Sequence, residues 1–208
     1  MTKTKRAFDL VVAIILMAFL AIPLAIIALV VLVRDGRPVF YVSERMRTVD
    51  QPFPLIKFRT MAIASEDSGV SGGDKLTRIT PTGRFLRRYR FDELPQLFNV
   101  LRGDLSFVGP RPPLRQYVER YPALYSQVLR SRPGVTGLAS IVYHHHEERL
   151  LARTLSAQET DELYCRSCVP RKATLDLIYQ RHSSPCWDVL LMIRTTVGVR
   201  ASGKRARH

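Results

Sequence analysis

The chain has 208 residues, enough for one domain or one domain with an appendage; 46% are hydrophobic and 24% charged, which excludes a wholly disordered chain. Its 32 Lys and Arg against 18 Asp and Glu leave a net charge of +14, so the partner is anionic: nucleic acid, a phosphorylated substrate or an anionic lipid surface. Three cysteines, an odd number, argue against a secreted disulfide scaffold.

From Leu10 to Val33 there is no charged residue. As a straight helix this run would be about 36 Å long, enough to cross a bilayer core. Lys3, Lys5 and Arg6 before it look like a signal-peptide start, but the apolar run is too long and no A-x-A site closes it. The segment is expected to stay on the protein and make it a membrane protein. Two readings of it stand. Arg34, Arg37, Arg45 and Arg47 follow the run, so positive charge flanks both ends, and the positive-inside rule pulls both to the cytoplasm. Pro23 near the middle breaks a helical hydrogen bond. Together these fit a re-entrant helix broken at Pro23. The alternative is a single crossing with a tolerated proline kink.

Beyond it, Pro38–Val42 reads as a strand and Phe53–Phe58 as its hairpin partner, with Thr48–Gln51 as the turn. Residues 64–75, rich in Ser, Gly and Asp, read as a surface loop. Thr82 is placed to cap a basic helix running to Tyr89. Pro95 suits the first turn of the next helix, through Leu97, Phe98, Val100 and Leu101, which stops at Arg102-Gly103. Two later stretches are amphipathic: Tyr117, Tyr121 and Tyr125 with Val118, Leu124, Val128 and Leu129, and then Trp187, Leu190, Leu191, Ile193 and Val197. Such faces either pack into the core or lie in a membrane interface. The basic end, Lys204–Arg207, is expected to be disordered and to touch anionic lipid.

The chemistry concentrates between Gly83 and Pro113. From Arg84 to Arg115 there are seven arginines but only three acids: Asp92, Glu93 and Asp104. Adjacent carboxylates in such a field should stay ionised, and arginine grips phosphate with paired N–H groups. Asp92 and Glu93 also precede the Pro95 helix, whose N-terminus favours an anion. An ionised Asp among phosphate-binding groups serves as a nucleophile towards phosphorus, or holds Mg²⁺ against a diphosphate. The plain alternative is a helix cap, which leaves the arginine density and the apolar anchor unexplained.

These pieces together resemble the bacterial sugar transferases, the monotopic phosphoglycosyl transferases. The matching runs are Lys5–Asp9, Pro38–Tyr41, Lys57–Met61, Thr77-Arg78, Gly83–Arg88, Asp92–Leu101, Gly103–Ser106, Val108–Pro112 and Arg132–Ala139. Asp176, Tyr179 and Asp188 fit the C-terminal pattern, so the resemblance covers nearly the whole chain. It implies transfer of a sugar-1-phosphate from a nucleotide-sugar donor, usually a UDP-sugar, to polyprenol (undecaprenyl) phosphate, with release of UMP. Asp92 would attack the sugar-linked phosphorus to form a covalent aspartyl-phosphosugar, and Glu93 would assist through Mg²⁺, the implied cofactor, or through proton handling. Lys57, Arg59, Arg88 and Arg111 match basic positions that hold phosphates. The family's membrane segment is re-entrant and broken at a proline, here Pro23. Its members often carry Ser before that proline, where this chain has Ile22. After Ala139, a Gln and an Asn-Gly-Arg-like run is replaced by Ser140–His146, a region bearing on sugar choice.

Cys165, Cys168, Cys186, His182 and His144–His146 supply half of a zinc pattern without its other half, and no metal is expected there. The expected fold is mainly α with a short β-hairpin. Residues 1–36 form the membrane-inserted helix with basic flanks, 37–200 a cytoplasmic transferase domain with interfacial amphipathic helices, and 201–208 a basic tail. The expected location is the cytoplasmic face of a bacterial inner membrane, where the enzyme takes the first membrane step of polysaccharide or glycan assembly. Its expected partners are the donor, polyprenol phosphate, anionic membrane lipids and downstream glycosyltransferases. The rival, a membrane-anchored nucleic-acid binder, lacks any helix-turn-helix, RRM or zinc-finger pattern, so no nucleic acid is expected. A non-catalytic scaffold is disfavoured by the intact acidic pair.

Overall fold

The computed structural model describes residues 1–63 and 77–205, with side chains as far as Thr195. The loop expected at 64–75 lies outside the described residues. Helix α1 spans Lys3–Asp35 and runs through Pro23. Thr2 caps its start, its Oγ1 accepting from the Lys5 N–H at 3.2 Å. Only Asp9, Ala13 and Val31 of this helix are buried. Val11, Ile14, Phe19, Ile22, Ile26, Leu29 and Val33 are exposed, an apolar face left uncovered among the described residues.

Both ends of α1 are tied to the body that follows. At the N-terminal end, the Arg6 guanidinium donates to the carbonyls of Val100 and Leu101 at 2.6 and 2.8 Å. Lys5 pairs with Asp188, and Asp9 accepts from the Phe107 N–H at 3.5 Å. At the other end, Arg59 donates to the carbonyls of Asp35, Gly36 and Arg37, the last two at 2.8 and 3.2 Å. Thr80 Oγ1 donates to Asp35 at 3.1 Å.

The hairpin pairs β1 (Phe40–Met46) with β2 (Pro52–Phe58), in register from Phe40 opposite Phe58 to Met46 opposite Pro52. The first strand thus starts later and runs further than the apolar run suggested, because Ser43, Glu44 and Arg45 keep pairing. Helix α2 (Pro81–Tyr89) is capped by Thr80, not Thr82. The reason is local: Pro81 takes the first helical position and forces its predecessor into extended backbone, where the Thr80 hydroxyl meets the Gly83 N–H at 2.9 Å. Helix α3 (Gln96–Arg102) ends as expected at Gly103, whose φ of 90° suits glycine.

Strand β3 (Ser106–Val108) then lies parallel to β4 (Gly134–Thr136), a pairing three residues long that carries no periodic signal in sequence. Close backbone approach makes it possible: a Cβ on Gly109 would stand 2.1 Å from the Arg132 carbonyl oxygen. Between these strands lie α4 (Arg115–Arg120) and α5 (Pro122–Val128). They are followed by α6 (Leu138–Leu151), α7 (Ala157–Leu163), a π-helical turn Tyr164–Cys168, α8 (Val169–His182) and α9 (Pro185–Arg205). The final helix therefore reaches into the segment expected to be a disordered tail.

The two amphipathic stretches part company. Tyr117, Val118, Tyr125, Val128 and Leu129 are buried against α6, the π-helical turn and α8, so the tyrosine stripe is core. Cys165 and Cys168 belong to that same core, while Cys186 is exposed. On α9 Asp188 and Leu191 are buried, while Trp187, Leu190 and Ile193 are exposed. A second core joins Ala13 to β2, α3, β3, Tyr179 and Leu191.

Candidate active site

Asp92 and Glu93 sit on a single 3₁₀ turn, Phe91–Glu93, wedged between α2 and α3. Arg90 makes the corner. Its φ of 56° is the one positive value on a non-glycine residue among the described residues. Such a backbone costs energy on a residue with a Cβ, and here it ends α2 abruptly enough to turn the two carboxyls inward. The Arg90 side chain then folds back onto Glu93, Nη2 to Oε2 at 2.8 Å.

Three elements converge on Glu93. Lys57, on β2, reaches Oε1 at 3.4 Å, and Arg111, in the segment after β3, reaches the same oxygen at 3.6 Å. The parallel strand pair holds that segment: Gly109 N–H donates to the Thr136 carbonyl and Gly134 N–H to the Pro110 carbonyl, both at 2.9 Å. Burial pushes the Glu93 carboxyl up, but Lys57, Arg90 and Arg111 outweigh it and hold the group well below the usual carboxylate range. Asp92 goes the other way. Burial and the neighbouring Glu93 charge raise it above its ordinary value, against the opposing pull of Lys57, Arg87 and Arg90. The two adjacent acids are therefore shifted in opposite directions.

Both carboxyls line one cavity of about 820 Å³, together with Lys57, Arg88 and Arg111 from the expected set. Arg59 also borders it, but its terminal N–H groups hold the C-terminal carbonyls of α1. It acts there as a helix-end cation rather than a free phosphate ligand. Pro23 lies within α1, away from this cavity's lining. Sequence reading missed Arg45, Arg87 and Arg90. Arg45 had a signal: Tyr41, Ser43 and Arg45 alternate along β1 on the face that Lys57 shares in the paired register, and all four line the cavity. Burial lowers the Arg45 guanidinium to about 10. His144 and His145 of α6 line the cavity as well, so the Ser140–His146 departure borders the site.

For Mg²⁺ the two acids differ. Both Glu93 oxygens already face cations, and a divalent ion beside Lys57, Arg90 and Arg111 would be repelled. Among the described residues Asp92 forms no such close ion pair, and it borders the cavity; no cluster of three or more His, Cys, Asp or Glu able to hold a metal occurs among them.

A sequence profile described as Bacterial sugar transferase matches residues 1–202. The chain is 42% identical over 137 residues to the uncharacterized sugar transferase EpsL of Bacillus subtilis, covering 66% of this chain and 67% of that protein. It is 39% identical over 150 residues to the undecaprenyl-phosphate galactose phosphotransferase of Salmonella typhimurium, covering 64% of this chain and 31% of the relative. Against the undecaprenyl-phosphate glucose phosphotransferase of Komagataeibacter xylinus identity is 34% over 203 residues, 92% of this chain and 35% of the relative. The chain thus spans about a third of the length of the last two. With the acidic pair, its arginine collar and the profile match in agreement, the chain belongs to the bacterial sugar transferase family.

Proposed function

We propose that the protein transfers a sugar-1-phosphate from a UDP-sugar to polyprenol phosphate at the cytoplasmic face of a bacterial inner membrane, releasing UMP. One observation carries this reading. Of two adjacent acids in a cavity collared by Lys57, Arg90 and Arg111, Glu93 is bound to the cations, and Asp92 is left as the more basic carboxyl beside the open space. A more basic carboxylate is the better nucleophile once it has lost its proton.

In the first step an Asp92 carboxylate oxygen bonds to the sugar-linked phosphorus, and the bond from that phosphorus to the bridging oxygen breaks. UMP leaves with the electron pair. A phosphate oxygen of polyprenol phosphate then attacks the same phosphorus, breaks the acyl-phosphate bond and restores the Asp92 carboxylate. Lys57, Arg88 and Arg111 offset the charge of the phosphates, and Glu93 keeps the cations in place between turnovers. Mg²⁺, if held by Asp92 and donor phosphate oxygens, would neutralise charge on the diphosphate. The exposed apolar faces of α1 and α9 support a site at the bilayer surface, where a soluble donor and a lipid acceptor meet.

The test is UMP release from a UDP-sugar panel with polyprenol phosphate, on the purified chain in nanodiscs. Asp92→Asn is expected to lose at least roughly 10³-fold, as enzymes do on losing a nucleophile. Equal release by the variant would remove Asp92 from that role.

A further inference from the structure

The cavity does not end at the acidic pair. It continues inward between α5, α6, the π-helical turn and α8, where Tyr125, Glu147, Tyr164, Lys172 and Asp176 line it. This inner part is polar although deep: Lys172 is 8% exposed and Asp176 7%. Lys172 is saturated, its Nζ donating to both Glu147 oxygens at 3.0 Å and to the Tyr164 hydroxyl at 3.3 Å. Asp176 stands one helical turn further along α8 and is not satisfied in this way. Its Oδ1 is buried without a hydrogen-bond partner.

A buried carboxyl oxygen with no donor is costly and rare in a folded protein. Lys172 is already bound by both oxygens of Glu147 and forms no hydrogen bond with Asp176 among the described residues. What remains is a buried carboxyl bordering the cavity, with tyrosine rings alongside, the combination that suits a polyhydroxylated ring: hydroxyls donate to the carboxylate and C–H faces lie on the aromatics. We infer that this inner chamber holds the sugar ring of the donor, with a ring hydroxyl donating to Asp176, and that Asp176 is a specificity-determining residue. The inference rests on the proposed transfer reaction.

Two rings of the donor carry hydroxyls, the sugar and the ribose, and the order of events favours the sugar. In the proposed reaction UMP departs before the lipid phosphate attacks, so its half of the site must open to solvent. The phosphosugar stays on Asp92 throughout and is the part that an inner chamber can retain.

The experiment uses the full chain in nanodiscs with polyprenol phosphate. Donors are UDP-glucose, UDP-galactose, their N-acetylamino counterparts, and monodeoxy analogues of whichever is best. Inhibition by UMP and the thermal midpoint are measured on the same samples. Wild type should lose about 10- to 100-fold in kcat/KM on the analogue lacking the bound hydroxyl, the size expected for a hydrogen bond to a charged group. Asp176→Asn should lose a similar factor on the best donor and no longer distinguish it from that analogue. UMP inhibition should be unchanged and the melting temperature no lower, a combination that loss of a structural residue would not give.

Unchanged donor discrimination in Asp176→Asn overturns the inference while leaving the transfer reaction standing. Weaker UMP inhibition at an unchanged melting temperature overturns it too, placing the ribose in the chamber. A lower melting temperature makes Asp176 structural and also overturns it. No UMP release by wild type from any donor would reject the transfer reaction itself, and the chamber's assignment with it.

Discussion

Asp92 and Glu93 are adjacent in sequence and shifted in opposite directions, because Glu93 is paired with three cations whereas burial and the Glu93 charge dominate at Asp92. A pH consequence follows. The reaction needs Asp92 ionised, so kcat/KM should fall as pH drops through its folded pKa, which lies above the ordinary carboxylate value. Arg90 is one of the charges that lower it, so Arg90→Gln should move the acid limb to higher pH; a limb that stays put would uncouple Arg90 from Asp92. Asp176 bears on stability instead. Burial raises its carboxyl to about 7 from 3.8. Between those values the folded chain holds a proton that the unfolded chain has lost, so this group makes stability fall as pH rises towards 7 and contributes no further change above it. Asp176→Asn should therefore be more stable than wild type at pH 8, by on the order of a few kcal/mol, with the gap narrowing at pH 5. Thermal unfolding at the two pH values checks both sign and trend.

At the scale of elements, arginines close two helix ends whose carbonyls have no partner within the helix. Arg6 does so for α3 and Arg59 for α1, so two motif positions that read in sequence as flanking or phosphate-binding charge are joints. Gly83 is the third joint. A Cβ there would stand 2.0 Å from the Thr60 carbonyl oxygen, so α2 docks against β2's extension only without a side chain at this position. Gly83→Ala should destabilise the protein by about 1–3 kcal/mol, the usual cost of forcing atoms into a filled contact. A melt within error of wild type would show that α2 shifts freely. Because Arg87 and Arg88 ride on α2, the same variant should also weaken donor binding, read as a raised KM.

For the whole molecule, the position of α1 matters most. A straight helix of its 33 residues would be about 50 Å long, well beyond a bilayer's apolar core. Crossing straight through would put Arg6 and Asp35 on opposite sides, yet both are bonded to the same small body. A re-entrant course, with both ends on the same side as that body, is the reading that accommodates those bonds. In a background with Cys165, Cys168 and Cys186 replaced, Lys3→Cys and Gly36→Cys should both react with a membrane-impermeant thiol reagent only from the cytoplasmic side. Labelling of position 3 from the periplasm would establish a single crossing.

Composition and spacing alone determined the apolar anchor, the hairpin, the stop at Gly103, and the acidic pair in its arginine field, because each depends on neighbours along the chain. The resemblance in those runs pointed to the family. The tertiary structure decided what each charge does. It bound Glu93 and freed Asp92, turned Arg59 into a helix cap, and buried the tyrosine stripe while leaving Trp187 and Ile193 exposed. It also brought Asp176, from the far end of the chain, to the cavity that holds Asp92. The physical reason is range: helix periods, caps and turns are set within a few residues, whereas burial and Coulomb partners are set by contacts across the fold.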